Sequence, residues 1–182
     1  MATLQVRVAE MKDADALTRL VNRAFVAESP YIAGERINVD GVRDLIARGT
    51  FLIGEVASAR HAEFAGPRHG EDAASTGDEE LDKELAAAVY VERRGESAHL
   101  GLVSVDPDRQ GEGFGLQIMN AAEACCRQVG YTEMELRFID HRAELQKFYE
   151  RCGFMPTGRI EAPDPGRARI PFHFVQMAKR LA

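Results

Sequence analysis

Leu102-Val103-Ser104-Val105-Asp106-Pro107-Asp108-Arg109-Gln110-Gly111-Glu112-Gly113-Phe114-Gly115 is a strand that stops at a proline and re-emerges, through three glycines, as a helix. The strand reads from His99 to Val105. Asp106-Pro107 ends it, because proline brings no N–H to a ladder. The helix runs to about Val129 with Phe114, Ile118, Met119, Ala122, Cys125, Cys126 and Val129 inward, and Gly130 closes it. Gly111, Gly113 and Gly115 allow close approach of the backbone to a ligand and turn N–H groups towards it. The helix behind them aims its positive end at the same place, so a phosphate or pyrophosphate fits there without a lysine. A P-loop would need Gly-Lys-Ser/Thr, which is missing. A dinucleotide fingerprint would need the loop in an early βαβ unit, whereas here it follows a hairpin late in the chain.

Working outward towards the N-terminus, Ala88 to Glu92 and His99 to Val105 are strand-like runs joined by a turn at Arg94-Gly95-Glu96, an antiparallel hairpin. Residues 3–9 alternate as a strand. Asp13 is placed to cap a helix carrying Leu17, Leu20, Val21, Ala24 and Phe25. After a loop with Pro30 and Gly34, Asp40 is placed to cap a second helix bearing Val42, Leu45, Ile46 and Ala47, closed by Gly49, and Thr50 to Ala57 reads as a strand. Ser58 to about Glu84 changes character: Gly66, Pro67, Gly70, Gly77, His61 and His69 stand among acidic runs with few apolar residues. It reads as a flexible acidic insertion between two strands, with a short helical turn expected over Leu81 to Ala87.

Towards the C-terminus come a strand, Met134 to Ile139, and a helix, Arg142 to Arg151, with Leu145, Phe148 and Tyr149 on one face. Strands Phe154 to Ile160 and Ile170 to Ala178 follow, separated by a proline-rich loop. The order β-α-α-β-β-β-α-β-α-β-β predicts a mixed α/β sheet with helices on both faces, one domain over residues 1–182.

The string from Leu102 to Gly115 closely resembles motif A of the GNAT N-acetyltransferase superfamily: a strand ending Val-x-Pro, then Gln/Arg-x-x-Gly-x-Gly/Ala, with Gln110, Gly113 and Gly115 at the defining positions. Phe148-Tyr149-Glu150-Arg151-Cys152-Gly153-Phe154 looks like the family's motif B, and the order of elements matches the family fold. The resemblance implies acetyl-CoA as co-substrate. The loop Gln110, Gly111, Glu112, Gly113, Phe114, Gly115 and Leu116 would hold the pyrophosphate, and Val103, Ser104 and Val105 would pair with the pantetheine like an added strand. It implies Tyr149 as the acid that protonates the departing thiolate. Many relatives place Asn seven positions before this tyrosine; here Arg142 stands there.

The base is less determined. His99 is the leading candidate: by strand parity it joins Gly101, Val103 and Val105, and counted back from Gln110 it matches the strand glutamate that histone-acetylating relatives use. An imidazole near its reference pKa of about 6.5 suits the task. Glu135, Glu92 and Glu28 are weaker options. His173 and Tyr31 are expected to touch the acceptor, since relatives line the acceptor pocket from these regions.

Bulk properties bound these expectations. A net charge of −6 argues against nucleic acid as main partner and is compatible with a cationic amine. No run of about 18 apolar residues suggests a membrane span, and the N-terminus lacks a signal peptide's apolar core, so a cytoplasmic protein is expected. Cys125, Cys126 and Cys152 form neither a disulfide framework nor a metal motif, and no metal is expected. A homodimer is compatible with this reading. The expected activity is transfer of an acetyl group from acetyl-CoA to a primary amine, most simply a small molecule, in a ternary complex. A protein or peptide acceptor and a catalytically inactive CoA-binding module are the alternatives.

Overall fold

A computed structural model describes residues 2–57, 83–161 and 165–181. Most of the acidic insertion expected over Ser58 to Glu84 lies outside the described residues. Eleven regular elements follow in order: β1 (Gln5–Val8), α1 (Ala14–Ala24), α2 (Val39–Arg48), β2 (Thr50–Ala57), β3 (Lys83–Arg94), β4 (Ser97–Val105), α3 (Phe114–Val129), β5 (Glu133–Ile139), α4 (Ala143–Arg151), β6 (Met155–Glu161) and β7 (His173–Arg180). The strands form one sheet in the order β1-β2-β3-β4-β5-β7-β6. Every pairing is antiparallel except β4 with β5, whose chain must cross over through α3. The expected element order and the mixed α/β architecture are thus both present.

Strand alternation sorts the core into two layers. Leu52, Val89, Val91, Leu100 and Leu136 point to the side where Phe114, Ile118, Met119 and Ala122 of α3, with Tyr149 and Phe154, close a buried cluster. Phe51, Ile53, Ala88 and Tyr90 point the other way, onto Leu17 and Leu20 of α1 and Val42 of α2. Each fully buried Leu, Ile or Phe contributes about 1.5–3 kcal/mol, so both layers hold the sheet against its helices.

Three local expectations are corrected. Asp13 does not cap α1; its carboxylate accepts from the Glu10 N–H and pairs with Arg7 at 2.7 Å, which stabilises the preceding turn instead. The cap of α2 is Asn38, whose side chain accepts from the Gly41 N–H at 2.8 Å, two residues before Asp40. Lys83 to Ala87 are strand, not a helical turn: they extend β3 and pair with Ala57 back to Gly54. The alanine-rich sequence there has good helix propensity, and the edge of β2 overrides it.

Candidate active site

The site begins where β4 leaves its neighbour. Ser97 to Leu100 pair with Glu133 to Leu136, and the parallel ladder ends there. Against β3, the register shifts between Ala88/Ser104 and Tyr90/Gly101, so β4 carries one extra residue, a β-bulge. Leu102 sits in it at φ 49°, the one non-glycine residue with positive φ among the described residues. Beyond the bulge β4 bends away, and a cleft of about 910 Å³ opens between β4 and β5, lined from both layers of the core.

The bulge also corrects the parity argument. Leu100 packs with the α3 layer, and so do Val103 and Val105, while Leu102 packs with the α1–α2 layer. One extra residue swaps the faces. His99 and Gly101, paired with Glu92 and Tyr90, therefore lie on the sheet face opposite to Val103 and Val105.

At one end of the cleft the loop from Asp106 to Gly113 is held from beneath. The buried Asp106 carboxylate accepts from the Asp108 N–H at 3.0 Å and pairs with Arg23 at 2.8 Å. Arg109 donates to Glu112 at 2.7 and 3.1 Å and lies 5.3 Å over the Phe114 ring. Gly111 and Gly113 adopt φ 88° and 87°, a region that side-chain-bearing residues enter only with strain. Gly113 is the N-cap of α3 and offers no capping side chain, so the first N–H groups of a 16-residue helix open towards the cleft. Gly115 serves a different end: a Cβ there would stand 3.2 Å from the Phe148 ring, so this glycine lets α3 approach α4.

Of the residues expected to hold the donor, Val103, Val105, Gln110, Gly111, Gly113, Phe114, Gly115 and Leu116 line the cleft. Ser104 and Glu112 do not: the buried Ser104 hydroxyl donates to the Leu102 carbonyl at 2.9 Å, and Glu112 turns to Arg109. The phenyl group of Phe114 is fully buried and belongs to the core.

Tyr149, on α4, lines the cleft and is packed against Phe138, Phe148 and Phe154 at ring distances of 5.6, 5.2 and 6.1 Å. Burial, then the neighbouring Cys152 and Glu28, push its phenol pKa well above the ordinary value, so it keeps its proton. Among the described residues its hydroxyl has no hydrogen-bond partner. Arg142 also lines the cleft and pairs with Glu144.

The far end is walled by Phe25, Ile37, Leu45 and Leu102, with Glu28, Arg36, Glu92, Arg94, His99 and Arg137 among them. Glu28 is 8% exposed, and Arg36 is its nearest cation at 3.8 Å. Burial raises its carboxyl pKa above the ordinary 4.5, opposed by Arg36 and Arg142. For His99, burial together with Arg94 and Arg137 lowers the imidazole to about 4, so it is neutral at physiological pH. His173 and Tyr31 do not line the cleft: the His173 N–H donates to Asp140 at 3.3 Å, and Tyr31 stacks on His141 at 5.1 Å. Sequence reasoning passed over Arg36 and Arg137. Arg137 alternates with Leu136 and Phe138 like any solvent-facing strand residue, and only the parting of β4 from β5 makes it a wall of the cleft.

Residues 77–156 match the family model described as Acetyltransferase (GNAT) domain. No curated protein sequence matches the chain. Among solved structures, the ribosomal-protein-S18-alanine N-acetyltransferase from Escherichia coli is 15% identical with a TM-score of 0.68, covering 98% of this chain and 94% of that one. A spermidine N-acetyltransferase SpeG chimera from Vibrio cholerae and hSSAT is 17% identical with a TM-score of 0.70, covering 98% and 96%. A Bacillus subtilis acetyltransferase in complex with CoA is 17% identical with a TM-score of 0.64, covering 98% and 99%.

Proposed function

We propose that the chain, which matches the GNAT-domain model over residues 77–156 and shares the fold of the N-acetyltransferase structures above, transfers an acetyl group from acetyl-CoA to the primary amine of a small molecule. The observation that carries this reading is one cleft with an anion cradle at Gly111–Gly115, a protonated phenol at Tyr149, and an apolar, charged hollow beyond. The residues fit the donor. Uncapped N–H groups of α3 suit a pyrophosphate, and the β4 edge left unpaired after Leu100 suits an extended amide-bearing arm. Acetyl-CoA supplies the acetyl thioester.

The chain's own groups then manage two protons. The acceptor enters as an ammonium and must lose one before its nitrogen can attack. Glu28, a carboxylate whose burial raises its proton affinity, is better matched to that task than His99 at about 4. As the new C–N bond forms and the C–S bond breaks, Tyr149 donates its proton to the departing sulfur, and the second proton shed by the acylated nitrogen restores the phenol. All three cysteines are unpaired, and burial pushes Cys126 up to about 12, which suits a reducing, cytoplasmic setting.

A thiol-release assay with acetyl-CoA over a panel of primary amines tests the proposal. Amine-dependent release of free CoA is expected. Tight CoA binding with no release by any amine between neutral and alkaline pH would instead make the chain a CoA-binding module.

A further inference from the structure

The chain as a whole is acidic, at −6, yet the cleft is the reverse: its lining carries five arginines against three glutamates. Two of these arginines, Arg142 and Arg94, are taken up by Glu144 and by Glu92 at 3.2 Å. Of the other three, Arg36 and Arg137 share the far hollow with Arg94 but are held less closely. Arg36 lies 4.7 Å over the Phe25 ring with its nearest carboxylate, Glu28, at 3.8 Å, and among the described residues its side chain makes no hydrogen bond. Arg137 stands 5.2 Å over the Phe174 ring and, among the described residues, has neither a hydrogen bond nor a carboxylate partner.

The position of Arg137 is as telling as its lack of a partner. It is the first residue of β5 beyond the last rung of the β4 ladder, Leu100 with Leu136, so it stands at the mouth of the split. It shares the face of Glu135, which is paired with His99. Arg137 and Arg36 each lower the proton affinity of a neighbour in this hollow: Arg137 acts on both His99 and Arg36. A guanidinium with open donors and like-charged neighbours is a site for an anion, which a planar carboxylate fills with two parallel hydrogen bonds.

We propose that Arg137, with Arg36 in the same hollow, anchors a carboxylate of the acceptor, so that the substrate is a primary amine that also bears an acid, an amino acid with an apolar side chain. This rests on the acetyl-transfer reading for the amine's fate but not for its binding. The bound carboxylate neutralises the field that Arg137 casts over His99. The apolar wall of Phe25, Ile37, Leu45 and Leu102 takes the side chain, and Glu28 is left to face the ammonium. The overall negative charge, which by itself suggests a purely cationic acceptor, is misleading at this site.

Calorimetry on the full chain saturated with CoA separates binding from turnover. The probes are L-leucine and L-phenylalanine, each against its carboxamide. The acids are expected to bind about 10- to 100-fold more tightly than the carboxamides, a charge-assisted pair being lost in the latter. Arg137→Gln should erase that preference with CoA affinity unchanged, and Arg137→Lys should restore part of it. Carboxamides that bind as well as the acids, an undiminished preference in Arg137→Gln, or binding of neither member of a pair overturns the anchor. If acids bind selectively but no CoA thiol is released on adding them to acetyl-CoA, the anchor stands and acetyl transfer falls. Thiol release with the carboxamides preferred has the opposite meaning.

Discussion

The two ends of the cleft are built from different parts of the polypeptide. The end proposed for the donor is main chain: two glycines at positive φ, the open N–H groups of α3, and the unpaired edge of β4. The end proposed for the acceptor is side chain: Glu28 after α1, Arg36 before α2, His99 on β4 and Arg137 on β5, brought together from four separate stretches. A site made of backbone demands particular residues at consecutive positions, because only glycine meets the φ it needs. A site made of side chains leaves each position free to vary while the scaffold stays the same.

Tyr149 lines the same cleft, and its removal should have the largest effect. Tyr149→Phe keeps the packing against Phe138, Phe148 and Phe154 and deletes only the hydroxyl. Turnover is expected to fall about 10²- to 10⁴-fold with CoA affinity within a factor of two or so, by steady-state kinetics beside calorimetry. Unchanged turnover would remove the phenol from the chemistry and leave the cleft a binding site.

Glu28→Gln strikes the acceptor end alone, with a loss in turnover of about 10²-fold expected. The pH profile sharpens the assignment. A base must be deprotonated, and burial lifts the Glu28 carboxyl above 4.5, so the wild-type rate should rise with pH through an acid limb above that value. The limb should be absent in Glu28→Gln. The same lifted pKa means folding is favoured more at low pH: stability contributed by the protonated form is lost as pH rises from 4.5 through the folded value.

Gly113→Val strikes the donor end alone. A β-branched residue at φ 87° costs roughly 1–3 kcal/mol, and the loop can evade that only by moving its N–H groups off target. CoA affinity should weaken about 10- to 100-fold, while affinity for the acceptor in the free protein is unchanged. If the acceptor weakens equally, the two ends are not independent.

The same contrast governs what the sequence disclosed. The glycine loop, the helix that bears Tyr149 and the element order were legible because each depends on neighbours in sequence or on a fixed φ. The β3 extension over Lys83 to Ala87 was not, since the partner that makes it a strand is β2 across the insertion. Nor was the bulge at Leu102, which no residue type marks, and with it went the face of His99. Arg36 and Arg137 look like any exposed arginines until the sheet parts beside them. Chemistry carried by side chains becomes visible only once the fold has brought the stretches together.

His99→Gln is expected to have the smallest kinetic effect and the clearest thermodynamic one. Burial with Arg94 and Arg137 holds the imidazole at about 4 in the folded chain, against 6.5 in the ordinary case. Below 6.5 the unfolded chain takes up a proton that the folded chain refuses, so stability present above 6.5 is lost as pH falls towards 4. The loss is on the order of 2 kcal/mol, and it should be missing from the variant in urea titrations at pH 7 and pH 4.5. At pH 7.5 turnover should change by less than about threefold, since a base this weak does little of the proton transfer. If instead the acid limb of the rate profile disappears in His99→Gln and survives in Glu28→Gln, the base is the imidazole. The carboxylate held by Arg137 would then do more than anchor the acceptor: by cancelling that guanidinium's field it would raise His99 towards its working range only when substrate is present.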